Sequence, residues 1–147
     1  MIRLALGFLI AIGLTVQGHA QETPYAEGQV WAYKNTPEDP GSLIRIQEID
    51  TTSWAEEGVT IYHISMIGIV VTGLSETVPV RHMPVSKETL DASVTRLTKT
   101  SEQFPEYRAG KAEWERANGG VFTITLAQIA DFVRNQMATQ IERQGGG

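Results

Sequence analysis

The stretch from Val59 to Val71 constrains the fold more than any other part of this chain. It is rich in β-branched residues and carries apolar side chains at both odd and even positions. A strand with one face in water alternates between apolar and polar residues, whereas a strand buried on both faces does not. We therefore expect a central strand of a sheet here, rather than an edge strand.

Two shorter strands are predicted before it, over residues 29–34 and 42–50. The first alternates between two sets of side chains, as a strand does. In the second, apolar residues fall on an odd spacing, which predicts a β-bulge near Gln47 and Glu48. The segment between them, 35–41, contains two prolines, a glycine and two acids and is predicted to be a loop.

Helical patterns dominate the second half of the chain. Leu90, Val94 and Leu97 recur at helical spacing after Ser86, which is a favourable helix cap. A capping-box pattern begins at Thr125 and precedes an apolar stripe. The predicted elements are a loop over residues 72–79, helices over 86–99, 105–117 and 125–142, and a short strand over 121–124.

Strands followed by helices predict an α+β domain. We expect a small antiparallel sheet of three N-terminal strands plus one later strand, packed by two or three helices. The alternation of a dinucleotide-binding fold is absent from the sequence. We assign residues 28–142 to this single domain, residues 21–27 to a linker and residues 143–147 to a flexible tail.

Residues 1–20 have the layout of a secretory signal peptide. Arg3 precedes an uncharged run over residues 4–16, and the small residues Gly18 and Ala20 stand where a signal peptidase reads the chain. The run is too short for a hydrocarbon core of about 30 Å, so cleavage is favoured over an uncleaved membrane anchor. We expect an exported protein, periplasmic or secreted, that does not stay in the membrane after cleavage.

Composition and missing motifs exclude several kinds of function. The chain has no cysteine, which rules out disulfides, thiolate metal sites and a cysteine nucleophile. Its net charge of -5 argues against nucleic-acid binding, which requires a basic surface. No phosphate-binding loop, hydrolase elbow or zinc-protease motif is found. We predict no cofactor and no metal, and expect the partner to be a small ligand or a protein of the cell envelope.

His63 and His82 are the candidate catalytic residues. Histidine is the side chain whose ordinary pKa allows proton transfer near neutral pH. His63 falls in the apolar central strand, where a hydrogen-bonded core histidine is the alternative interpretation. His82 precedes the helix predicted from Ser86, where it could bind an anion or simply brace the turn. A carboxylate from Glu88 or Asp91 would complete a two-histidine metal site, but the spacing matches no known signature.

Three aromatic residues are candidates for ligand binding. Trp31 and Tyr33 share a face of the first predicted strand, and Trp54 lies in a polar loop. Large rigid aromatic side chains are favoured at binding surfaces. The alternative for Trp31 and Tyr33 is that they face the core under the helices.

Five short segments resemble a set of small bacterial proteins of unknown activity. These segments lie at residues 28–34, 42–46, 63–65, 82–86 and 120–124, and the resemblance covers most of the predicted domain. It implies no catalytic role, because no activity is known for that set.

Three functions are consistent with these observations. The first is a non-catalytic binding or protein-interaction module, favoured by the absence of catalytic motifs. The second is a small hydrolase-like enzyme that uses His63 and His82. The third is an inhibitor or immunity-type partner of a secreted enzyme, which the small size and acidity allow.

Overall fold

The computed structural model of this protein describes residues 25–51 and 58–146. Its elements are β1 (Val30–Tyr33), β2 (Leu43–Asp50), β3 (Ile61–Ile69), β4 (Val78–Val85), α1 (Lys87–Ser93), β5 (Val94–Thr98), α2 (Arg108–Arg116) and α3 (Leu126–Gly145). The strands of these described residues form one antiparallel sheet, which confirms the predicted α+β class. The predicted signal peptide and Trp54 lie outside the described residues.

The sheet has the order β4-β3-β2-β1-β5. The first four strands form a meander, in which each strand pairs with the next. After α1 the chain reaches the opposite edge of the sheet, where β5 pairs with β1. The chain therefore crosses the whole sheet between β4 and β5.

The central strand and the bulge were predicted correctly. β3 lies between β2 and β4, and all its residues except Gly68 are buried. The register between β2 and β3 shifts between Ile46 and Glu48, so that Gln47 is the extra residue. This bulge sets which side chains of β2 lie beside those of β3.

One face of the sheet packs against α1 and α3 and forms the hydrophobic core. Leu90 from α1 and Leu126 and Ile129 from α3 are fully buried there. The largest strand residues of this core are Trp31, Tyr33, Ile44, Ile46, Tyr62, Ile64, Met66, Ile69 and Met83. We call this side of the sheet the core face.

The opposite side, which we call the α2 face, is more polar. Side chains alternate between the two faces along a strand. Because Ile64 of β3 extends into the core, its neighbours His63 and Ser65 extend from the α2 face. Trp114 of α2 contacts His63, which means that α2 packs on this second face. The sheet therefore has helices on both sides.

The predicted helix over residues 86–99 is correct only in its first half. Ser86 caps α1 as expected, accepting a hydrogen bond from the Thr89 amide. The helix ends at Ser93, and Val94–Thr98 forms β5. Pairing with β1 provides backbone hydrogen bonds to β-branched residues that have a weak helix propensity. Leu97, which was expected on the buried side of a helix, is 47% exposed.

Three other elements also differ from the prediction. β4 (Val78–Val85) was not predicted as a strand, because residues 72–79 were expected to form a loop and His82 to lie in a turn before the helix. β4 contains Pro79 and Pro84. An edge strand tolerates proline because one of its sides needs no hydrogen-bond donors. The strand expected over residues 121–124 is reduced to one parallel bridge at Phe122. α3 begins with the expected capping box and continues to Gly145, into the segment expected to be a flexible tail.

A buried ion pair attaches the loop after β1 to α3. Asp39 is fully buried and pairs with Arg134 of α3, which is 14% exposed. Asp39 also accepts a hydrogen bond of 2.6 Å from the Val70 amide. Among the described residues, no helix is both long enough and apolar enough to cross a membrane.

Candidate functional site

The two candidate histidines lie in direct contact. Their nearest ring nitrogens, Nδ1 of His63 and Nε2 of His82, are 2.8 Å apart. The rings are nearly parallel, with an interplanar angle of 22° and centroids 5.0 Å apart. His63 is fully buried, so anything that reaches this pair from solvent reaches His82 first.

The contact depends on the pairing of β3 with β4. His63 lies opposite Pro84, and the register then shifts between Ile64 and Met66. This irregularity brings the ring of His82 edge to edge with that of His63. At this irregularity, the Ser65 hydroxyl donates a hydrogen bond of 2.6 Å to the Arg81 carbonyl.

Trp114 covers the histidine pair from α2. Its ring meets His63 edge to face at a centroid distance of 5.2 Å and lies 6.1 Å from His82. Two glycines allow this packing. A Cβ atom at Gly110 would lie 2.8 Å from Cβ of His82, and a Cβ atom at Gly119 would lie 2.1 Å from the indole ring.

A charged group borders the pair on the β2 side. Glu48 accepts hydrogen bonds from Lys111, at 2.6 Å, and from the Tyr107 hydroxyl, at 2.9 Å. Asp50 lies 3.7 Å from Nε2 of His63, which is an ion-pair distance but too long for a hydrogen bond. Two of these side chains, Lys111 and Tyr107, connect the start of α2 to β2.

Both histidines are held in the neutral form. Burial lowers the pKa of His63, and the nearby Lys111 lowers it further. Burial, together with the neighbouring His63 and Lys111, lowers the pKa of His82 to about 4. Although burial acts to raise it, hydrogen bonds from Lys111 and Tyr107 lower the pKa of Glu48. At neutral pH the site therefore contains two neutral imidazoles beside an ionised carboxylate.

The Asp50 carboxylate favours one arrangement of the protons on His63 and His82. Each neutral imidazole carries one N–H group, so only one of the two facing nitrogens is protonated. If His82 donates from Nε2, then His63 carries its proton on Nε2, directed towards the Asp50 carboxylate. The opposite arrangement would aim a lone pair of His63 at that carboxylate. We infer the first arrangement, which leaves Nδ1 of His82 without a proton.

A cleft of about 450 Å³ opens beside this pair. Its walls come from the end of β4, from Trp114 and from the segment after α2. The lining residues are His82, Met83, Pro84, Trp114, Gly120, Val121 and Phe122. The indole is fixed in the wall, because its Nε1 donates a hydrogen bond of 3.0 Å to the Gly120 carbonyl.

The other residues predicted to be functional lie elsewhere. Trp31 and Tyr33 are buried in the core, so their position corresponds to the structural alternative rather than to an exposed ligand site. Asp91 accepts a hydrogen bond from Tyr25 and pairs with Lys87. Within the described residues, no group of three potential metal ligands occurs.

Trp114 and Lys111 were not predicted to belong to a functional site. The segment that holds them is amphipathic and rich in charge, a pattern typical of a helix with one solvated face. The signal that could have found Trp114 is the glycine on either side, because Gly110 inside a helix and Gly119 just after it suggest close packing. Glu48 was noted only as part of the predicted bulge.

We compared the chain with known proteins at three levels. No protein-family model, no curated protein and no solved structure matches it. The resemblance to small bacterial proteins therefore stays a prediction.

Proposed function

We propose that this protein is an exported binding module that holds an uncharged, largely apolar group in the cleft between Trp114 and His82. The observation that carries the proposal is a fixed indole opposite a neutral histidine, in a cleft whose other side chains are apolar. A wall that is rigid before binding reduces the entropic penalty of association. One imidazole among apolar neighbours is typical of sites that bind through shape and a single polar contact.

The chemistry of the lining defines the ligand class. Aromatic rings stack well on indole, and the bare Nδ1 inferred for His82 is a hydrogen-bond acceptor rather than a charge. Trp114 and His82 are the only side chains in the lining that carry an N–H or O–H group, so a charged ligand would lose its hydration without finding a counterion. We therefore expect planar, neutral ligands that carry a hydrogen-bond donor.

Ligand-observed NMR with phenol and indole tests this proposal. Both probes should bind, with an affinity of about millimolar given their size, while benzoate and benzylamine should bind more weakly. Trp114→Ala should abolish the signal. Phe132→Ala removes an aromatic ring that is 50% exposed on α3 and serves as the matched control. Equal binding to the Trp114→Ala and control variants would contradict the proposal.

Export is tested separately from ligand binding. The full chain should be expressed with its own N-terminus in a bacterium, and the intact mass of the protein recovered outside the cytoplasm should be measured. We expect a mature chain that begins at Gln21. A protein that remains in the cytoplasm and retains residues 1–20 would refute export but leave the binding proposal standing.

The contact between His63 and His82 favours a second candidate, a small hydrolase. In that case Asp50, His63 and His82 would form a chain that orients His82 as a general base. A base with a pKa of about 4 is weak at neutral pH, which is why this candidate ranks second. Hydrolysis of a panel of chromogenic esters tests it: turnover that His82→Gln abolishes would support catalysis, whereas equal rates would refute it. The third function, an inhibitor of a secreted enzyme, stays a prediction.

A further inference from the structure

A second cleft lies at the other edge of the sheet, away from His82. It has a volume of about 700 Å³, and its lining comes from the start of β1, from β2 and from the end of β5. The residues that matter here are Glu27, Val30, Arg45, Leu97, Thr98 and Lys99. Since β4 forms the opposite edge, β3 lies between the strands of this cleft and the strand that lines the cleft beside Trp114.

Strand register places three of these side chains in a row. Val30 pairs with Arg45 of β2 on one side and with Thr98 of β5 on the other. Directly paired residues in antiparallel strands extend from the same face, about 5 Å apart. In this part of the cleft, the apolar side chain of Val30 therefore lies between the guanidinium of Arg45 and the hydroxyl group of Thr98.

Among the described residues, no carboxylate forms an ion pair with Arg45, although Glu27 lines the same cleft. Its side chain is partly buried, and its Nε atom is enclosed by protein without a hydrogen-bond partner. Arg134 is the relevant contrast, because it is also mostly buried but pairs with three carboxylates. A guanidinium partly removed from water without an acceptor destabilises the fold. Because Nε is enclosed, a ligand can reach only the terminal nitrogens of this guanidinium. Buried polar groups without a partner are expected at functional or strained sites.

We propose that this cleft binds a small organic monocarboxylate with a hydrocarbon tail. The planar guanidinium of Arg45 matches a carboxylate in a two-bond geometry, and Lys99 adds a second positive charge at the rim. Val30 provides apolar surface for the tail. Leu97 pairs with Trp31 and therefore extends from the other face of the sheet. Glu27 in the lining and the net charge of -5 favour a single negative charge over a phosphate dianion. This inference does not rest on the proposed function of the other cleft.

Titration calorimetry with octanoate tests the site in the purified protein. Octanoate should bind, while octanol, which lacks the charge, and acetate, which lacks the tail, should bind at least about tenfold more weakly. Arg45→Gln should weaken octanoate binding by about tenfold or more. The matched control is Arg116→Gln, which removes the same charge from the exposed end of α2 and should leave binding unchanged.

Two further variants separate a ligand site from a structural role. Glu27→Gln should strengthen octanoate binding, because it removes a repelling charge from the lining. Arg45→Met should unfold at the same temperature as the wild type or higher, since it removes a charge that lacks a partner. A lower melting temperature for Arg45→Met would make the guanidinium structural and overturn the proposal. Octanoate affinity that is equal in the wild type and in Arg45→Gln would overturn it as well.

Trp114→Ala tests whether the two clefts bind their ligands independently. It should leave octanoate binding intact while abolishing the binding of phenol. If octanoate binding is lost together with phenol binding, the anion occupies the first cleft, and the inference about Arg45 is wrong.

Discussion

Mild acid is expected to destabilise this protein through the His63–His82 pair. In the folded state, burial and neighbouring groups lower the pKa of His82 from 6.5 to about 4 and lower that of His63 as well. The unfolded chain has ordinary histidines, so below pH 6.5 it takes up protons that the folded state does not. The free energy of unfolding is therefore highest above that pH and falls as the pH decreases towards 4.

The size of the effect follows from the shift. For His82 alone, the free energy of unfolding should fall by about 1 kcal/mol between about pH 7.5 and about pH 5.5. His63 adds to this loss, because its pKa is also lowered. The lowered pKa of Glu48 acts at lower pH, outside this window, because the ordinary pKa of that carboxyl is 4.5.

Urea unfolding followed by circular dichroism measures this loss. The experiment needs the wild type and a double variant, His63→Asn with His82→Gln. These amides place polar atoms close to the two nitrogens that face each other, but they do not titrate. The double variant should lose much less stability over the window than the wild type. Equal losses in the two proteins would refute the argument that the histidines are held neutral by their surroundings.

Two other predictions concern the packing of the fold. Gly119→Ala should displace the indole of Trp114 and destabilise the protein by about 1–3 kcal/mol, whereas Gly120→Ala, where a Cβ atom meets nothing within 4 Å, should be close to neutral. Tryptophan fluorescence and urea unfolding would show the difference, and equal effects would count against a tightly packed indole. Asp39→Ala should cost about 3–5 kcal/mol because it leaves a mostly buried Arg134 without its main partner. Adding Arg134→Met should recover part of that loss in thermal unfolding, and purely additive losses would show that the pair is not coupled.

Local signals in the sequence were sufficient for much of the fold. The caps at Ser86 and Thr125 and the bulge at Gln47 depend on short-range patterns, and all three occur as predicted. β5 was missed because Leu90, Val94 and Leu97 have helical spacing, while the actual partner of Val94–Thr98 is a distant strand. Pairing between remote segments is not visible in the sequence of either segment. It can therefore override the local helix propensity without any sign in the sequence.

The candidate site, like the fold, was predicted only in part. Residue type alone indicated His63 and His82, because few side chains titrate near neutral pH. Their contact depends on an irregular register between β3 and β4, which nothing in either segment reveals. Trp114 and Lys111 reach the site only because α2 packs on the second face of the sheet. Sequence patterns therefore identified the chemistry but not the surroundings that hold it neutral.

The pairing of β5 with β1, which are distant in sequence, also has consequences for the rate of folding. β1 is only four residues long and lies inside the sheet, yet its two partners, β2 and β5, are far apart along the chain. Until β5 arrives, β1 is a short edge strand with unpaired amides, exposed to pairing with other chains. Such distant contacts slow folding, since loop-closure entropy is lost before the contact forms. The last step of sheet assembly should therefore be the docking of β5, and a chain that stops before Val94 should aggregate.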